Sequence, residues 1–263
     1  MYLTDYHTHT VLSPDSETPL SAMADAAAAA GLDELCVTDH CDLLELYGAP
    51  VDHYDWPPAL EQHQQTAPRY AGKLTIRLGL EFGMPHLNPA LSRTILDQPE
   101  LDFVLGSVHN LCPERGGTDF YYVDYPDEAA CYAALDDYFS SMAKLAVTDF
   151  YDVLSHIIYP LRYMDHPISL DRYGDQLDAI FQSAAERGRG IEINTWRGRT
   201  LKEWLPVLRR FQAKGGEIVT IGSDAHTPDG VGKGVREACQ VLQEAGFRYL
   251  ATYEKRKPIF HTL

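Results

Sequence analysis

Two histidines separated by one residue, His7 and His9, stand near the start of the chain, and Asp15 follows after a short loop. Residues two apart in an extended strand point to the same side, so both imidazoles converge on one point. Imidazole and carboxylate groups together bind divalent transition metals, so the segment DYHTHTVLSPDSE (5–17) suggests part of a metal site. An isolated His-x-His is a weak signal, because two polar side chains near a surface give the same pattern. Further ligands have to come from the rest of the chain.

Short apolar runs alternate with longer amphipathic runs along the sequence. The predicted strands are YLTDYH (2–7), ELCVTD (34–39), LTIRLGLE (74–81), DFVLGSVH (102–109), YDVLSH (151–156), GIEIN (190–194) and EIVTIGSD (217–224). The predicted helices cover 19–31, 127–147, 170–188 and 235–246, and three of them close on Gly, a typical helix stop. Strand alternating with helix is typical of a parallel α/β protein. No linker, repeat or shift in composition is visible, so we predict one domain, 1–263.

Metal-binding side chains stand at the end of six of the seven predicted strands. They are His7 and His9, His40, Glu81, His109, His156, and the pair Asp224 and His226. In a closed parallel barrel the C-terminal strand ends meet on one face, where active sites of such folds are built. Any one of these residues is more often a satisfied polar group, but structural needs rarely place six such strand ends together. We therefore predict one α/β barrel with its active site on this face.

With Asp15, nine groups converge: six imidazoles and three carboxylates. A single zinc ion takes about four ligands, so the set predicts two or three divalent ions with a carboxylate bridging a pair. Nitrogen and oxygen donors without a thiolate suit Zn, Mn or Fe. The remaining histidines lack a strand-end position and are expected outside the ligand set: His53, His63, His86, His166 and His261.

Composition narrows the class of protein. The 263 residues are 45% hydrophobic and 23% charged, as in a globular protein, and carry a formal net charge of −16. This acidity argues against a nucleic-acid partner, which needs clustered Lys and Arg. Five cysteines without a Cys-x-x-Cys pair fit a reducing compartment. The first predicted strand leaves no room for a signal peptide and no apolar run is long enough to span a membrane, so we expect a cytoplasmic protein without membrane contact.

The motifs HTH…D, TDH, GLE, SVH, SH and SDAH resemble the PHP family, named for polymerase-associated and histidinol-phosphatase domains. They look most like its free-standing histidinol-phosphate phosphatases, and the resemblance runs from residue 5 to about 230. It implies a single-domain distorted (β/α)7 barrel with a trinuclear metal site at the C-terminal strand ends. It also implies a metal-dependent phosphomonoesterase that converts L-histidinol phosphate and water to L-histidinol and phosphate, in histidine biosynthesis.

The resemblance also implies three ligand sets. The first metal would be held by His7, His9, Glu81 and Asp224; the second by Glu81, His109 and His156; the third by Asp15, His40 and His226. Glu81 would bridge the first two ions, and Glu81, Asp224 and His226 are the expected catalytic residues. Some relatives carry His where this chain has Asp15, which offers a harder oxygen ligand.

Phosphate ester hydrolysis suits such a site. Metal coordination lowers the pKa of bound water toward 7, and positioned cations stabilise the charge that spreads over the phosphoryl oxygens.

Two arginines are candidates for binding the phosphate. Arg162 and Arg197 follow the fifth and sixth predicted strands, and we expect their guanidinium forks to bind phosphate; Arg199 is a weaker candidate. The alternative is that both pair with acidic residues at the surface. Segment 110–125 is the expected substrate loop, and its FYYVDY run either walls the pocket or packs beneath the loop.

Two other classes of protein remain open on the sequence. An amidohydrolase-type metal enzyme also begins with His-x-His, but it usually bridges its metals with a modified Lys in mid-barrel, where this chain offers none. A non-catalytic metal-dependent module is the second alternative, and release of phosphate from a panel of monoesters would discriminate it from an enzyme. Within the enzyme class, a general phosphoesterase or a nuclease of the same family is possible, because specificity depends on loops.

Overall fold

The computed structural model describes residues 1–263, and at its centre a parallel sheet curls into a barrel. Its strands are β1 (Thr4–Thr8), β2 (Glu34–Val37), β3 (His40–Asp42), β4 (Thr75–Gly83), β5 (Phe103–Ser107), β6 (Val153–Leu154), β7 (Gly190–Asn194) and β8 (Val219–Gly222). The order is β1-β2-β4-β5-β6-β7-β8, all parallel, and β3 pairs with β4 as well. Since β2 and β3 both pair with β4 and are separated by only two residues, they are two pieces of one barrel strand.

Hydrogen bonds between the last and first strands nearly close the barrel. The backbone N–H of His9 donates to the carbonyl of Ala225 at 2.9 Å, and that of Asp224 donates to the carbonyl of His7 at 2.8 Å. These bonds join the two ends of the chain that carry most of the predicted ligands. The predicted distorted barrel of seven strands is thereby confirmed.

Helices surround the barrel. They are α1 (Leu20–Ala30), α2 (Trp56–Thr66), α3 (Pro89–Leu96), α4 (Glu128–Ala146), α5 (Gly174–Glu186), α6 (Trp204–Ala213) and α7 (Val235–Ala245). Capping fixes several ends: Asp127 accepts a hydrogen bond from the N–H of Ala130 at 2.8 Å, and Gly31 ends α1 in the left-handed conformation at φ 72°. None of the helices is both long enough and apolar enough to cross a membrane.

All seven predicted strands and four predicted helices exist, and most of them are shorter than predicted; β7 has the predicted bounds and β4 is one residue longer. Predicted strand 151–156 shrinks to two residues, and predicted helix 170–188 begins with a 3₁₀ turn before α5. Helices α2, α3 and α6 are not among the predicted elements. Each carries a proline in its first turn, where a missing N–H costs no helical hydrogen bond.

A C-terminal hairpin, which the sequence analysis also missed, closes the N-terminal end of the barrel. Strands β9 (Tyr249–Glu254) and β10 (Lys257–Thr262) pair antiparallel, and the turn between them carries Arg256. The guanidinium of Arg256 forms two hydrogen bonds, at 2.9 and 3.0 Å, to the fully buried carboxylate of Asp152, just before β6. This pair stabilises the end of the barrel that is remote from the predicted site.

Candidate metal centre

The C-terminal strand ends bring all nine predicted ligands to one face of the barrel. The pairing of β1 with β2 shifts register between Asp5 and Thr8, an irregularity of the kind that re-aims side chains beside active sites. Because neighbouring side chains of a strand point to opposite sides, Tyr6 packs in the core while His7 reaches the cluster. After β8, Asp224 takes a left-handed backbone conformation at φ 59°, which is uncommon for a residue with a side chain, although Asp tolerates it better than most.

The first group of predicted ligands, His7, His9, Glu81 and Asp224, is buried. The Nε2 atoms of His7 and His9 lie 3.1 and 3.4 Å from Glu81 Oε2, and 3.7 and 3.6 Å from Asp224 Oδ1. With bonds of about 2.0–2.2 Å to zinc, two ligands of one ion lie about 2.9–3.5 Å apart. The spacing of these four side chains is therefore close to that of ligands which share an ion.

The second group surrounds the other oxygen of Glu81. Oε1 of Glu81 lies 2.9 Å from Nε2 of His156 and 3.1 Å from Nε2 of His109. The two imidazole nitrogens are 3.3 Å apart. Glu81 thus presents one carboxylate oxygen to each of two groups, which is the geometry of a bridging carboxylate.

The third group, Asp15, His40 and His226, lies at the open side of the cluster. Asp15 is about half exposed, and its carboxylate lies 2.9 Å from His226 Nε2 and 3.7 Å from His40 Nε2. His40 also reaches the first group, since its Nδ1 lies 3.1 Å from Glu81 Oε2. The three groups are therefore contiguous.

Buried polar atoms without a hydrogen-bond partner are concentrated in this cluster. Five buried atoms make no hydrogen bond, although they lie close to other ligand atoms: Nε2 of His7, His9 and His226, Nδ1 of His40, and Oε2 of Glu81. Native proteins leave few buried polar atoms without a partner, and each one needs an explanation. All five are nitrogen or oxygen atoms of the kinds that transition metals prefer as ligands, and they face one another. The residues present therefore fit a cluster of divalent cations.

The imidazoles and carboxylates of the cluster strongly shift one another's pKa. Burial would lower the pKa of His7, but neighbouring carboxylates, Glu192 foremost, raise it well above the ordinary value. Burial would raise the pKa of Glu81, but the surrounding imidazoles, His7 foremost, hold it well below the usual range. Burial and the nearby imidazole of His226 keep the pKa of His9 well below normal, so His9 is neutral and able to coordinate.

Carboxylates behind the ligands orient the imidazole rings, and the sequence analysis missed them. Nδ1 of His7 lies 2.7 Å from Glu192, in the middle of β7, and Nδ1 of His109 lies 2.7 Å from Asp42, at the end of β3. Such partners fix the tautomer and orientation of metal-binding histidines. The sequence does carry a weak signal for Glu192. It lies two residues before Asn194, which ends β7, so both side chains point to the same side of the strand.

Ser13 orients a further ring. Its Oγ lies 3.0 Å from Nδ1 of His9 and donates to Asp39 at 2.8 Å. Asp39 in turn accepts hydrogen bonds from both the backbone and the hydroxyl of Thr10. The loop between His9 and Asp15 is thereby tied to the end of β2.

Both predicted phosphate-binding arginines line a cavity of about 630 Å³ that opens over the cluster. Arg162 is almost fully buried, donates to Asp224 Oδ2 at 2.8 Å, and lies between the rings of Tyr159 and Trp196, 5.4 Å from each centre. Arg197 has a buried Nε without a hydrogen-bond partner, and its backbone is left-handed at φ 56°. Neither arginine lies at the surface paired with an acidic residue there.

The 110–125 segment also reaches the cavity. Asp119, Tyr121 and Tyr122 line it, whereas Phe120 is fully buried against Tyr138. Both interpretations of the FYYVDY run therefore hold, for different residues.

The other five histidines are expected outside the ligand set. None of them belongs to a group of side chains whose ligand atoms lie close enough together to hold one metal ion.

Comparison with known proteins agrees with the fold and shows the family. The PHP domain profile matches residues 5–196. The chain is 30% identical to a probable histidinol-phosphatase of Deinococcus radiodurans, over 97% of this chain and 98% of that protein. It is 29% identical to a probable histidinol-phosphatase of Clostridium acetobutylicum, over 96% and 97%.

A solved structure is similar over nearly the whole chain. The crystal structure of histidinol phosphate phosphatase from Lactococcus lactis, in complex with zinc, L-histidinol and phosphate, aligns with a TM-score of 0.83 and 26% identity. The alignment covers 98% of both chains. The fold, the motifs and the profile together show that this chain belongs to the PHP domain family.

Proposed function

We propose that this protein is a metal-dependent phosphomonoesterase that hydrolyses L-histidinol phosphate to L-histidinol and phosphate. One observation carries the proposal: six imidazoles and three carboxylates, of which all but Asp15 are largely buried, form a contiguous cluster beneath a cavity that also holds two guanidinium groups. The names of the full-length relatives support this choice of substrate, as do the zinc, L-histidinol and phosphate bound to the Lactococcus lactis protein.

The three groups of side chains would hold two or three divalent ions. We assign His7, His9, Glu81 and Asp224 to the first ion, Glu81, His109 and His156 to the second, and Asp15, His40 and His226 to the third. The nitrogen and oxygen donors suit zinc, which the Lactococcus lactis structure contains, and also manganese or iron. The half-exposed Asp15 makes the third group the most accessible and the most easily emptied.

When bound, divalent ions would supply positive charge for the phosphoryl group and lower the pKa of a coordinated water toward neutrality. Arg162 and Arg197 would bind phosphoryl oxygens in the cavity above. Arg162 is already oriented by its bond to Asp224 and by two aromatic rings, so little conformational entropy is lost when it binds phosphate. Because Asn194 also donates to Asp224, at 3.2 Å, the carboxylate is fixed from two sides.

We further propose that residues 1–263 act as one catalytic domain. The PHP profile ends at 196, but Asp224 and His226, which follow β8, complete the cluster. The five cysteines are all free, which is typical of a reducing compartment, so we place the reaction in the cytoplasm. The net charge of −16 favours a small substrate over nucleic acid.

The test is release of phosphate by the metal-loaded protein from L-histidinol phosphate, from unrelated monoesters and from single-stranded DNA. We expect L-histidinol phosphate to give the highest kcat/KM and DNA to bind weakly at physiological salt. Faster degradation of DNA than of any monoester would favour a nuclease. Equal rates on all monoesters would favour a general phosphoesterase.

A further inference from the structure

Asp119 is a carboxylate of the cavity that takes no part in the metal cluster. It is partly buried and lines the cavity on the loop that follows β5. It accepts two hydrogen bonds, from the backbone N–H of Tyr121 at 2.7 Å and from the hydroxyl of Tyr159 at 3.4 Å. No Lys or Arg side chain pairs with it, and burial raises its pKa. A carboxylate partly removed from water without a cationic partner is costly, unless a ligand supplies that partner.

Tyrosine rings surround Asp119 on the cavity wall. Tyr121, Tyr122, Tyr159 and Tyr163 all line the cavity. The rings of Tyr121 and Tyr163 are 5.2 Å apart, and those of Tyr159 and Tyr163 are 5.3 Å apart. Aromatic faces attract ammonium groups and stack on flat rings. The wall therefore suits a group that combines a nitrogen donor with an unsaturated ring.

Tyr159 is the member of this wall that lies next to the phosphate-binding side of the cavity. Its ring face lies 5.4 Å from the guanidinium of Arg162, and its hydroxyl points to Asp119. The same ring stacks on His156 of the cluster at 4.7 Å. A phosphate ester bound by Arg162 and the cluster would therefore extend its alcohol portion past Tyr159 toward Asp119.

We infer that Asp119 and the tyrosines around it form the leaving-group subsite, in which the Asp119 carboxylate binds nitrogen donors of the alcohol. This inference rests on the proposed phosphomonoesterase function and specifies its selectivity. L-histidinol phosphate carries an ammonium group on the carbon beside the phosphate-bearing carbon, and an imidazole beyond it. The subsite thus selects for phosphate esters of amino alcohols and against esters of neutral alcohols.

Asp119→Asn is the test variant, because it removes the charge but keeps a side-chain oxygen. That oxygen can still accept the hydrogen bond from the Tyr121 N–H, just as the side chain of Asn88 accepts one from the N–H of Leu91. Three substrates separate the contributions: L-histidinol phosphate, phosphoethanolamine (the same ammonium without the ring) and phenyl phosphate (a ring without a nitrogen). We expect kcat/KM to fall about ten- to a hundred-fold on one or both nitrogen-bearing substrates and to stay within about two-fold on phenyl phosphate. Loss on phosphoethanolamine would assign the contact to the ammonium group, and loss on L-histidinol phosphate alone would assign it to the imidazole.

Asp124→Asn is the matched control, because Asp124 is exposed on the same loop and does not line the cavity. Calorimetric titration of the metal-loaded protein with L-histidinol provides a readout without hydrolysis, and Asp119→Asn should weaken binding about ten-fold or more. Unchanged L-histidinol affinity, or equal loss on all three substrates, would overturn the subsite. Failure of the wild-type protein to release phosphate from any ester would instead overturn the proposed function, and the titration would still decide the role of Asp119.

Discussion

Replacing Glu192 by Gln should weaken metal binding, although Glu192 is not a predicted ligand. The Glu192 side chain is buried and accepts three hydrogen bonds. Oε1 lies 2.7 Å from Nδ1 of His7, while Oε2 accepts the backbone N–H of His156 at 2.9 Å and the amide of Asn194 at 3.2 Å. All three partners are oriented by one carboxylate, so the carboxylate couples β7 to the strands that carry two ligands.

A glutamine has one acceptor oxygen, so at least one of these contacts must fail in either orientation of the amide. If the oxygen faces His7, the amide nitrogen faces two donors; if the amide is flipped, its nitrogen faces the N–H of His7. An unmatched buried donor costs about 1–3 kcal/mol. Loss of a carboxylate behind a metal-binding histidine typically costs about ten- to a hundred-fold in metal affinity or activity.

The assay is metal stoichiometry after dialysis against a buffered free zinc concentration, measured beside kcat/KM for L-histidinol phosphate. We expect the variant to reach half occupancy at ten- to a hundred-fold higher free zinc, with activity that recovers as zinc is raised. Glu217→Gln is the control, since Glu217 is exposed at the other end of the barrel. Wild-type zinc affinity and activity in Glu192→Gln would refute the orienting role.

Three further predictions test other parts of the structure. Glu81→Gln should abolish activity and lower metal content, because a neutral amide bridges two cations poorly; full metal occupancy with near-normal kcat would contradict the bridging role. Arg197→Ala should lower kcat/KM about ten- to a hundred-fold with metal content unchanged, since a charge-assisted hydrogen bond contributes roughly 1.5–3 kcal/mol. Arg162→Ala should lower kcat/KM at least as much and should also weaken metal binding, because Arg162 orients the ligand Asp224. Lys should restore only part of the activity at either position. Steady-state kinetics beside metal analysis check this, and near-normal kcat/KM for Arg197→Ala would remove it from the phosphate site. Arg256→Ala should lower the free energy of unfolding by about 1.5–3 kcal/mol in urea denaturation. The loss should stay below that of two full charge-assisted hydrogen bonds, because the buried Asp152 loses both bonds to Arg256 but keeps the bond from Arg189 at 2.8 Å. Unchanged stability would contradict this account of the hairpin.

The ligand set could be predicted from the sequence because strand periodicity and chain order constrain it. In a parallel barrel every strand ends on the same face, so a His or carboxylate at a strand end must lie on that face. The structure accordingly brings His7, from the first strand, beside Asp224, which follows the last. Strand lengths were less accurate, since β6 needs only Val153 and Leu154 to form its pairs.

The orienting residues and the hairpin could not be predicted in this way. Glu192 lies within a strand, where a carboxylate is ordinarily a solvent-facing residue of an alternating pattern; its position two residues before Asn194 is a weak signal, and its distance to His7 establishes its role. Asp42 follows His40 by two residues but contacts His109, 67 residues away in sequence. Arg256 bonds to Asp152 across 104 residues. Such contacts depend on how separate strands and loops lie in space, which local patterns do not encode.

The metal cluster is the central claim, and metal removal tests it most directly. Transition metals should be counted per chain by mass spectrometry in the purified protein, and phosphate release from L-histidinol phosphate should be measured before chelation, after chelation and after zinc is restored. We expect more than one transition metal per chain, loss of activity on chelation and recovery with zinc. A metal-free protein that releases phosphate at the full rate would contradict the account.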